Sequence, residues 1–114
     1  MDSNTTIRAL AALAQEHRLA AFRLLVQAGE AGLSAGAISE AVGAPASSMS
    51  FHLAQLSHAG LIRQKRQSRS LIYSADYTTM GDLMAYLPEN CCSGQGCVPA
   101  PGCEPQNADE RNAA

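Results

Sequence analysis

All four cysteines of this 114-residue chain lie in one short segment near its C-terminus. They are Cys91, Cys92, Cys97 and Cys103, within the sequence ENCCSGQGCVPAPGC. A cysteine that serves packing is usually a single buried residue, whereas a cluster spaced by glycine and serine is typical of a site for a soft ligand. The sequence therefore predicts that this segment binds a thiophilic metal or metalloid.

The spacing of the thiols separates the candidate ligands. Structural zinc takes four ligands in a tetrahedron, commonly with Cys-x-x-Cys spacing, which the adjacent pair Cys91 and Cys92 does not provide. Trivalent arsenic and antimony are also thiophilic, and three thiolates complete a pyramidal site. We expect Cys91, Cys92 and Cys97 to supply these three, because the spacer of residues 93–96 is flexible. Cys103 is expected to be an auxiliary ligand.

Other uses of the thiols remain open from the sequence. The cluster could hold zinc or cadmium, could form disulfides in response to oxidants, or could belong to a small carrier that passes metal to a transporter. A thiol reductase is disfavoured, because no Cys-x-x-Cys lies at a strand-to-helix junction. No catalytic constellation is indicated elsewhere, so an enzyme is not expected.

Length and composition indicate a single domain with an aliphatic core. Hydrophobic residues make up 46% of the chain, yet aromatic residues are only 4% and tryptophan is absent, which favours helices rich in Leu, Ile and Ala. No apolar run is long enough to span a membrane, and the first residues lack the pattern of a signal peptide. We therefore expect a cytoplasmic protein with reduced thiols.

Charge is distributed unevenly along the chain, although the net charge is only −2. Basic residues are in excess before residue 76, and acidic residues are in excess after it. Four of the eight basic residues fall between positions 63 and 69, namely Arg63, Lys65, Arg66 and Arg69. This pattern predicts a focused anion-binding surface followed by an acidic tail.

Hydrophobic periodicity predicts four helices in the first sixty residues. The first covers 5–14, with Ile7, Leu10, Ala11 and Leu13 on its apolar face. The second covers 16–28, with Leu19, Phe22, Leu25 and Val26 inside and with Arg18 and Arg23 outside. The third is capped by Ser34 and runs to Val42 before Gly43. The fourth begins near Pro45, carries the stripe Met49, Leu53 and Leu56, and ends at Ala59-Gly60.

The pattern then changes to two short strands and a last helix. Residues 61–66 and 69–74 are predicted to form a hairpin connected by Gln67-Ser68. A fifth helix is expected from Thr79 to about Leu87, since Pro88 follows. The predicted organisation is a domain over 1–90 and a cysteine-containing tail over 91–114, with a mainly α fold and a small β-hairpin.

Two short helices joined by a glycine turn and followed by a basic hairpin predict a winged helix-turn-helix. Its fourth helix would read the major groove of double-stranded DNA, and its hairpin would contact the backbone or the minor groove. The candidate DNA-binding residues are Ser47, Ser48, Ser50, Phe51, His52, Gln55, Arg63, Lys65, Arg66 and Arg69. His52 has two equally weighted interpretations, contact with buried groups or with a phosphate, whereas His17 and His58 are expected on the surface.

The segment SSMSFHLAQLSHAGLIRQKRQSRSLIYS resembles the recognition helix and wing of the ArsR/SmtB family of metal-sensing repressors, and EHRLAAFRLLVQAG resembles the family's second helix. The resemblance covers residues 5 to about 88. It implies a homodimer joined through the first and last helices and bound to an inverted-repeat operator. Two residues depart from the family pattern: Ser68 stands where a glycine commonly turns the wing, and Phe51 stands where a polar residue is frequent.

The resemblance also bears on the ligand. Many family members carry Cys-x-Cys on the helix before the recognition helix, but SAGAISEAVG contains no thiol. Others bind zinc between final helices through Asp and His, and here Asp82 has no histidine near it in sequence. The ENCC segment resembles arsenite-responsive members with thiols just beyond the last helix. The sequence thus predicts an arsenite- or antimonite-responsive repressor that contributes to arsenical resistance.

Overall fold

A computed structural model describes residues 1–94 of the chain. Within this range the elements occur in the order α1, α2, β1, α3, α4, β2, β3, α5. The helices are α1 (Ser3–Leu13), α2 (Glu16–Ala28), α3 (Ala35–Val42), α4 (Ala46–His58) and α5 (Tyr77–Tyr86), and the strands are β1 (Leu33–Ser34), β2 (Ile62–Gln67) and β3 (Ser70–Ala75). The predicted fold class, mainly helical with a small sheet, is confirmed.

Side-chain caps fix where most helices begin. Four side chains each accept a hydrogen bond from a backbone N–H in the first turn of the helix that follows, namely those of Asp2, Gln15, Ser34 and Asp76. Such caps satisfy donors that the helix itself leaves without a partner. At the other end of α3, Gly43 adopts the left-handed conformation with φ of 83°. The predicted bounds of α2 and α3 are therefore confirmed.

The core consists of aliphatic side chains from every helix and from the base of the sheet. The largest fully buried side chains are Leu25, Ile38, Met49, Leu53, Leu56 and Leu61. The predicted stripe on the fourth helix is therefore confirmed as a core face. Leu83 from α5 joins the same cluster, and the Tyr77 hydroxyl donates to the Val26 carbonyl at 2.8 Å. These contacts attach α5 to α2.

The sheet has three antiparallel strands in the order β1-β3-β2. Strand β1 was not predicted, and it pairs Leu33 with Tyr73 and Ser34 with Ile72. The hairpin is shifted by one residue from its prediction, because Gln67 pairs with Ser70 and leaves Ser68-Arg69 as the turn. Ser68 takes the positive φ of 58° that a tight hairpin of this length requires.

The apolar face predicted for α1 is not the face that this helix buries within the chain. Thr6, Ala9 and Ala12 are the buried residues of this helix. Ile7 and Leu10 are 60% and 41% exposed. Leu19 on α2, also predicted inside, is exposed. Small side chains allow α1 to lie close to its neighbours, which leaves its larger apolar residues on the opposite side.

The last helix begins two residues earlier than predicted, at Tyr77, because Asp76 caps it. Leu83 is buried, whereas Met84 and Leu87 are 41% and 59% exposed. Helices α1 and α5 contact each other. No helix among residues 1–94 combines the length and the apolar character needed to cross a bilayer.

Candidate nucleic-acid interface and thiol segment

The turn between α3 and α4 is held by Ser39. The Ser39 hydroxyl donates to the Ala44 carbonyl, and the N–H groups of Gly43 and Ala44 donate to the Ser39 carbonyl at 2.9 and 3.2 Å. Both α3 and α4 also pack on α2. The angle between the two short helices is thereby fixed by bonds that do not depend on a ligand.

Helix α4 presents one buried and one exposed face, as an element that enters a groove must. The exposed residues include Ser47, Ser48, Ser50 and Phe51, and Phe51 is 58% exposed. The helix begins after Pro45, which is the N-cap and makes no side-chain capping bond. The serines are therefore not caps, and the first-turn N–H groups point to a region that favours a phosphate oxygen.

His52 lies half-buried between α4 and α2. A nitrogen of the Arg18 guanidinium is 3.4 Å from His52 Nδ1, and the centroid of the His17 ring is 5.6 Å from that of His52. Arg18 was predicted outside, but its Nε also donates to the Ala12 carbonyl at 2.6 Å. The structure thus shows His52 in contact with partly buried groups, which was one of its two expected roles. Its contact with a phosphate stays a prediction.

The surroundings of His52 favour its neutral form. Burial is the largest cause that lowers the pKa of His52, followed by the positive charge of Arg18 and then by His17. A neutral ring can accept the Arg18 N–H at Nδ1, and its proton is then assigned to Nε2. The imidazole therefore offers a donor, rather than a second cation, near the exposed face of α4.

The wing is the β2–β3 hairpin, and its four basic side chains occupy different places on it. Arg63 lies at the base, where its Nε is 4.0 Å from the Asp76 carboxylate. Lys65 and Arg66 are exposed farther along β2, on alternate faces of the strand. Arg69 was predicted to begin the second strand, but it lies in the turn at the tip. The positive charge thus extends along the whole hairpin.

The first two thiols lie just beyond α5. Helix α5 ends at Tyr86, and the intervening turns continue through bonds from the Glu89 N–H to the Tyr86 carbonyl and from the Cys91 N–H to the Pro88 carbonyl. The sulfurs of Cys91 and Cys92 are 3.6 Å apart. Two bonds of about 2.3 Å to one atom allow sulfurs up to about 4.6 Å apart. The separation of this pair lies within that limit, and a ligand atom shared by the two sulfurs stays a prediction.

The remaining predicted ligands, Cys97 and Cys103, lie outside the described residues. Within residues 1–94, no group of three His, Cys, Asp or Glu side chains is arranged to hold a metal ion. Backbone φ is positive at Asn90, Cys92 and Ser93, which are non-glycine residues in a sparsely populated conformation.

Three residues that shape this site were not singled out from the sequence. Ser39 holds the turn between α3 and α4, Arg18 joins α2 to the recognition helix, and Asp76 links the wing to α5. An aspartate before an apolar helix, such as Asp76, is a recognisable capping signal, whereas Ser39 lies inside α3 and carried no such signal. Arg18 carried no such signal, because its contact with His52 is 34 residues distant in sequence.

Comparisons with known proteins agree with this architecture. Residues 13–65 match a family described as a helix-turn-helix domain. No curated protein sequence matches the chain. An ArsR-like transcriptional regulator from Rhodococcus sp. RHA1 superposes with a TM-score of 0.67 at 21% identity, covering 74% of this chain and 76% of that one.

Two further structures share the fold. The homodimeric winged helix-turn-helix domain of Mb0332 from Mycobacterium bovis, a possible ArsR-family regulator, has a TM-score of 0.63 and 25% identity, with 74% and 76% of the two chains covered. Reduced HlyU from Vibrio cholerae N16961 has a TM-score of 0.60 and 25% identity, with 79% and 92% covered. The chain therefore contains a helix-turn-helix domain within a winged-helix fold like that of ArsR-type regulators.

Proposed function

We propose that this protein is a transcriptional repressor of the ArsR/SmtB family that binds an inverted-repeat operator as a homodimer and releases it when As(III) or Sb(III) binds its C-terminal thiolates. The observation that carries the proposal is the position of Cys91 and Cys92, two hydrogen-bonded turns beyond α5 in a winged-helix chain. Cys97 would complete the pyramid, with Cys103 as an auxiliary ligand.

The DNA-binding half of the proposal rests on the exposed surface of α4 and the wing. The small hydroxyls of Ser47, Ser48 and Ser50 let the helix approach the bases closely, and Phe51 offers apolar contact for a thymine methyl group. Gln55 supplies an amide for base edges, while the basic residues of the wing neutralise phosphates. In a dimer, two such helices would enter successive major grooves about 34 Å apart.

The coupling between ligand and DNA rests on the chain path after α5. A third thiolate drawn onto a ligand atom bound by Cys91 and Cys92 would rearrange the turns at residues 87–94. Cys92 and Ser93 hold left-handed backbone conformations there, which are uncommon for residues other than glycine. Those turns continue the hydrogen bonding of α5. Movement there would change how α5 packs against α1 and the partner. Coupling of this kind is typically about 1–3 kcal/mol, and stronger switches exceed it.

The decisive experiment is DNA binding by the reduced protein, titrated separately with arsenite, antimonite, zinc, cadmium and peroxide. Cys91→Ser should bind its operator normally and require at least about tenfold more arsenite for release, since one of three thiolate ligands is lost. Ser93→Ala, in the same turn, should respond like the natural chain. If the arsenite concentration that releases the natural chain from its operator also fully releases Cys91→Ser, the metalloid mechanism is contradicted. Release from the operator by peroxide, reversed by dithiothreitol, would favour a redox sensor.

A further inference from the structure

A pocket of about 320 Å³ lies between α1, α2 and α4. Its polar lining comes from Arg8 on α1, Arg18 on α2, and Gln55 and His58 on α4. The rest of the lining is alanine, and no acidic side chain contributes to it. The pocket therefore brings donors from three helices to one space that small side chains leave open.

The two arginines differ in how they are held. Arg18 is fixed by its bond to the Ala12 carbonyl and its contact with His52, which together engage two of its five N–H donors. Arg8 is exposed. The ion pair found among residues 1–94 joins Arg63 to Asp76, and neither pocket arginine is neutralised by a carboxylate in that range. One guanidinium is thus preorganised and the other is available to close over a ligand.

We infer that this pocket is a binding site for a phosphate group. Arginine presents its donors in a planar fork that matches phosphate oxygens, and donors converging from three helices suit a tetrahedral oxyanion better than a planar carboxylate. The volume exceeds what inorganic phosphate alone needs and falls at the lower end of the range for small-molecule sites. The ligand is therefore a phosphate carried by a larger molecule, either the backbone of bound DNA or a soluble phosphate ester.

Either source would act on the recognition helix directly. Gln55 and His58 belong to α4, whereas Arg8 belongs to α1, whose exposed residues Ile7 and Leu10 are candidates for the dimer contact. A phosphate that bridges these helices fixes the position of α4 relative to α1. The DNA alternative rests on the proposed function, and the soluble ester does not.

The test uses the full reduced chain and three variants, Arg8→Gln, His58→Gln and the control Arg23→Gln. Arg23 is exposed on α2, outside the pocket lining, so the control removes the same charge elsewhere. Calorimetry measures binding of inorganic phosphate and glycerol 3-phosphate. Fluorescence anisotropy measures binding of a labelled duplex pool over a series of salt concentrations, and circular dichroism verifies folding.

For a soluble ester, Arg8→Gln should weaken glycerol 3-phosphate about tenfold, while Arg23→Gln matches the natural chain. If the ligand is a backbone phosphate of DNA, inorganic phosphate and glycerol 3-phosphate bind weakly. Arg8→Gln then lowers the affinity for the duplex more than Arg23→Gln does, and it reduces the slope of log affinity against log salt concentration by about one. Equal behaviour of all three variants in both assays overturns the site. Failure of the natural chain to bind any duplex would refute the proposed function and, with it, the backbone phosphate as the source. The calorimetry then decides the pocket: binding of glycerol 3-phosphate that Arg8→Gln weakens supports the site, and no binding overturns it.

Discussion

His52 connects the recognition helix to α2 through a single neutral imidazole. Its Nδ1 faces the Arg18 guanidinium at 3.4 Å, and its ring contacts those of His17 and Phe51. If His52 takes a proton, two cations face each other across this contact and the acceptor for Arg18 is lost. The packing of α4 on α2 is therefore sensitive to pH at one identifiable residue.

We predict that the protein loses stability as the pH falls below the ordinary histidine pKa of about 6.5. The folded pKa of His52 is lowered, chiefly by burial. The unfolded chain consequently binds more protons between the two pKa values, and the free energy of unfolding decreases as pH falls through that window. NMR titration of the His52 ring, together with urea unfolding at several pH values, measures both quantities.

Arg18→Gln provides the control for this prediction. It removes the positive charge beside His52, so the midpoint of the His52 titration should rise toward the ordinary value. Burial is the larger cause and remains, so the rise should be partial. A His52 midpoint in the natural chain at or above that of the unfolded chain would refute the account.

At the scale of elements, the short strand β1 depends on a glycine. Gly32 has φ of 69°, and a Cβ atom at this position would meet the Tyr73 carbonyl oxygen and would lie 2.8 Å from Ile72 Cγ2. Backbone atoms cannot move aside as a flexible side chain can. The close approach that pairs β1 with β3 is thus possible only without a side chain at residue 32.

Gly32→Ala is predicted to destabilise the fold by about 2–4 kcal/mol, because left-handed backbone and a clash with a paired strand add together. Gly36→Ala is the matched control: its φ is ordinary and nothing lies within 4 Å of the added methyl group. In α3 that change should stabilise by up to about 1 kcal/mol. Chemical denaturation of both variants measures the difference, and equal free energies of unfolding would contradict the structure.

Elements with local signals could be predicted from the sequence. Ser34 and Gly43 bracket α3, and the spacing of Met49, Leu53 and Leu56 gives the buried face of α4. Strand β1 could not be predicted, because two residues have no periodicity and exist as a strand only through pairing with Tyr73 and Ile72. The wing register was missed by one residue for a similar reason: Ser68-Arg69 lacks the glycine that normally marks such a turn.

The sequence also did not indicate which apolar face of a helix packs against the core. Periodicity marks Ile7 and Leu10 as a hydrophobic face of α1, but it does not distinguish a core from a contact with another chain. The residues of α1 that pack inside are Thr6, Ala9 and Ala12. Among the candidate DNA residues, exposure could be inferred from the same periodicity, while the contact of Arg18 with His52 could not.

At the scale of the whole molecule, four of the eight exposed large apolar residues among residues 1–94 belong to α1, to α5 or to the residue that ends α5, and the two helices contact each other. Ile7 and Leu10 on α1, Met84 on α5 and the C-cap residue Leu87 are each at least 41% exposed. Apolar surface of this kind on a folded chain indicates an interface. The dimer that we propose forms through the first and last helices, and Cys91 and Cys92 follow the last helix in the chain.

Leu10→Glu and Met84→Glu are predicted to weaken the dimer at least about 100-fold, because each places an unpaired charge within the proposed interface. Leu71→Glu is the matched control, since Leu71 on the wing is 39% exposed, close to the 41% of the other two. Sedimentation equilibrium measures association, and anisotropy with an inverted-repeat duplex measures DNA affinity. The two interface variants should also lose DNA affinity, because a monomer engages one half-site instead of two. If the dimer tolerates both changes, or if Leu71→Glu weakens it equally, the interface lies elsewhere. The thiols would then not adjoin the interface, and α5 could not transmit ligand binding to the dimer as we propose.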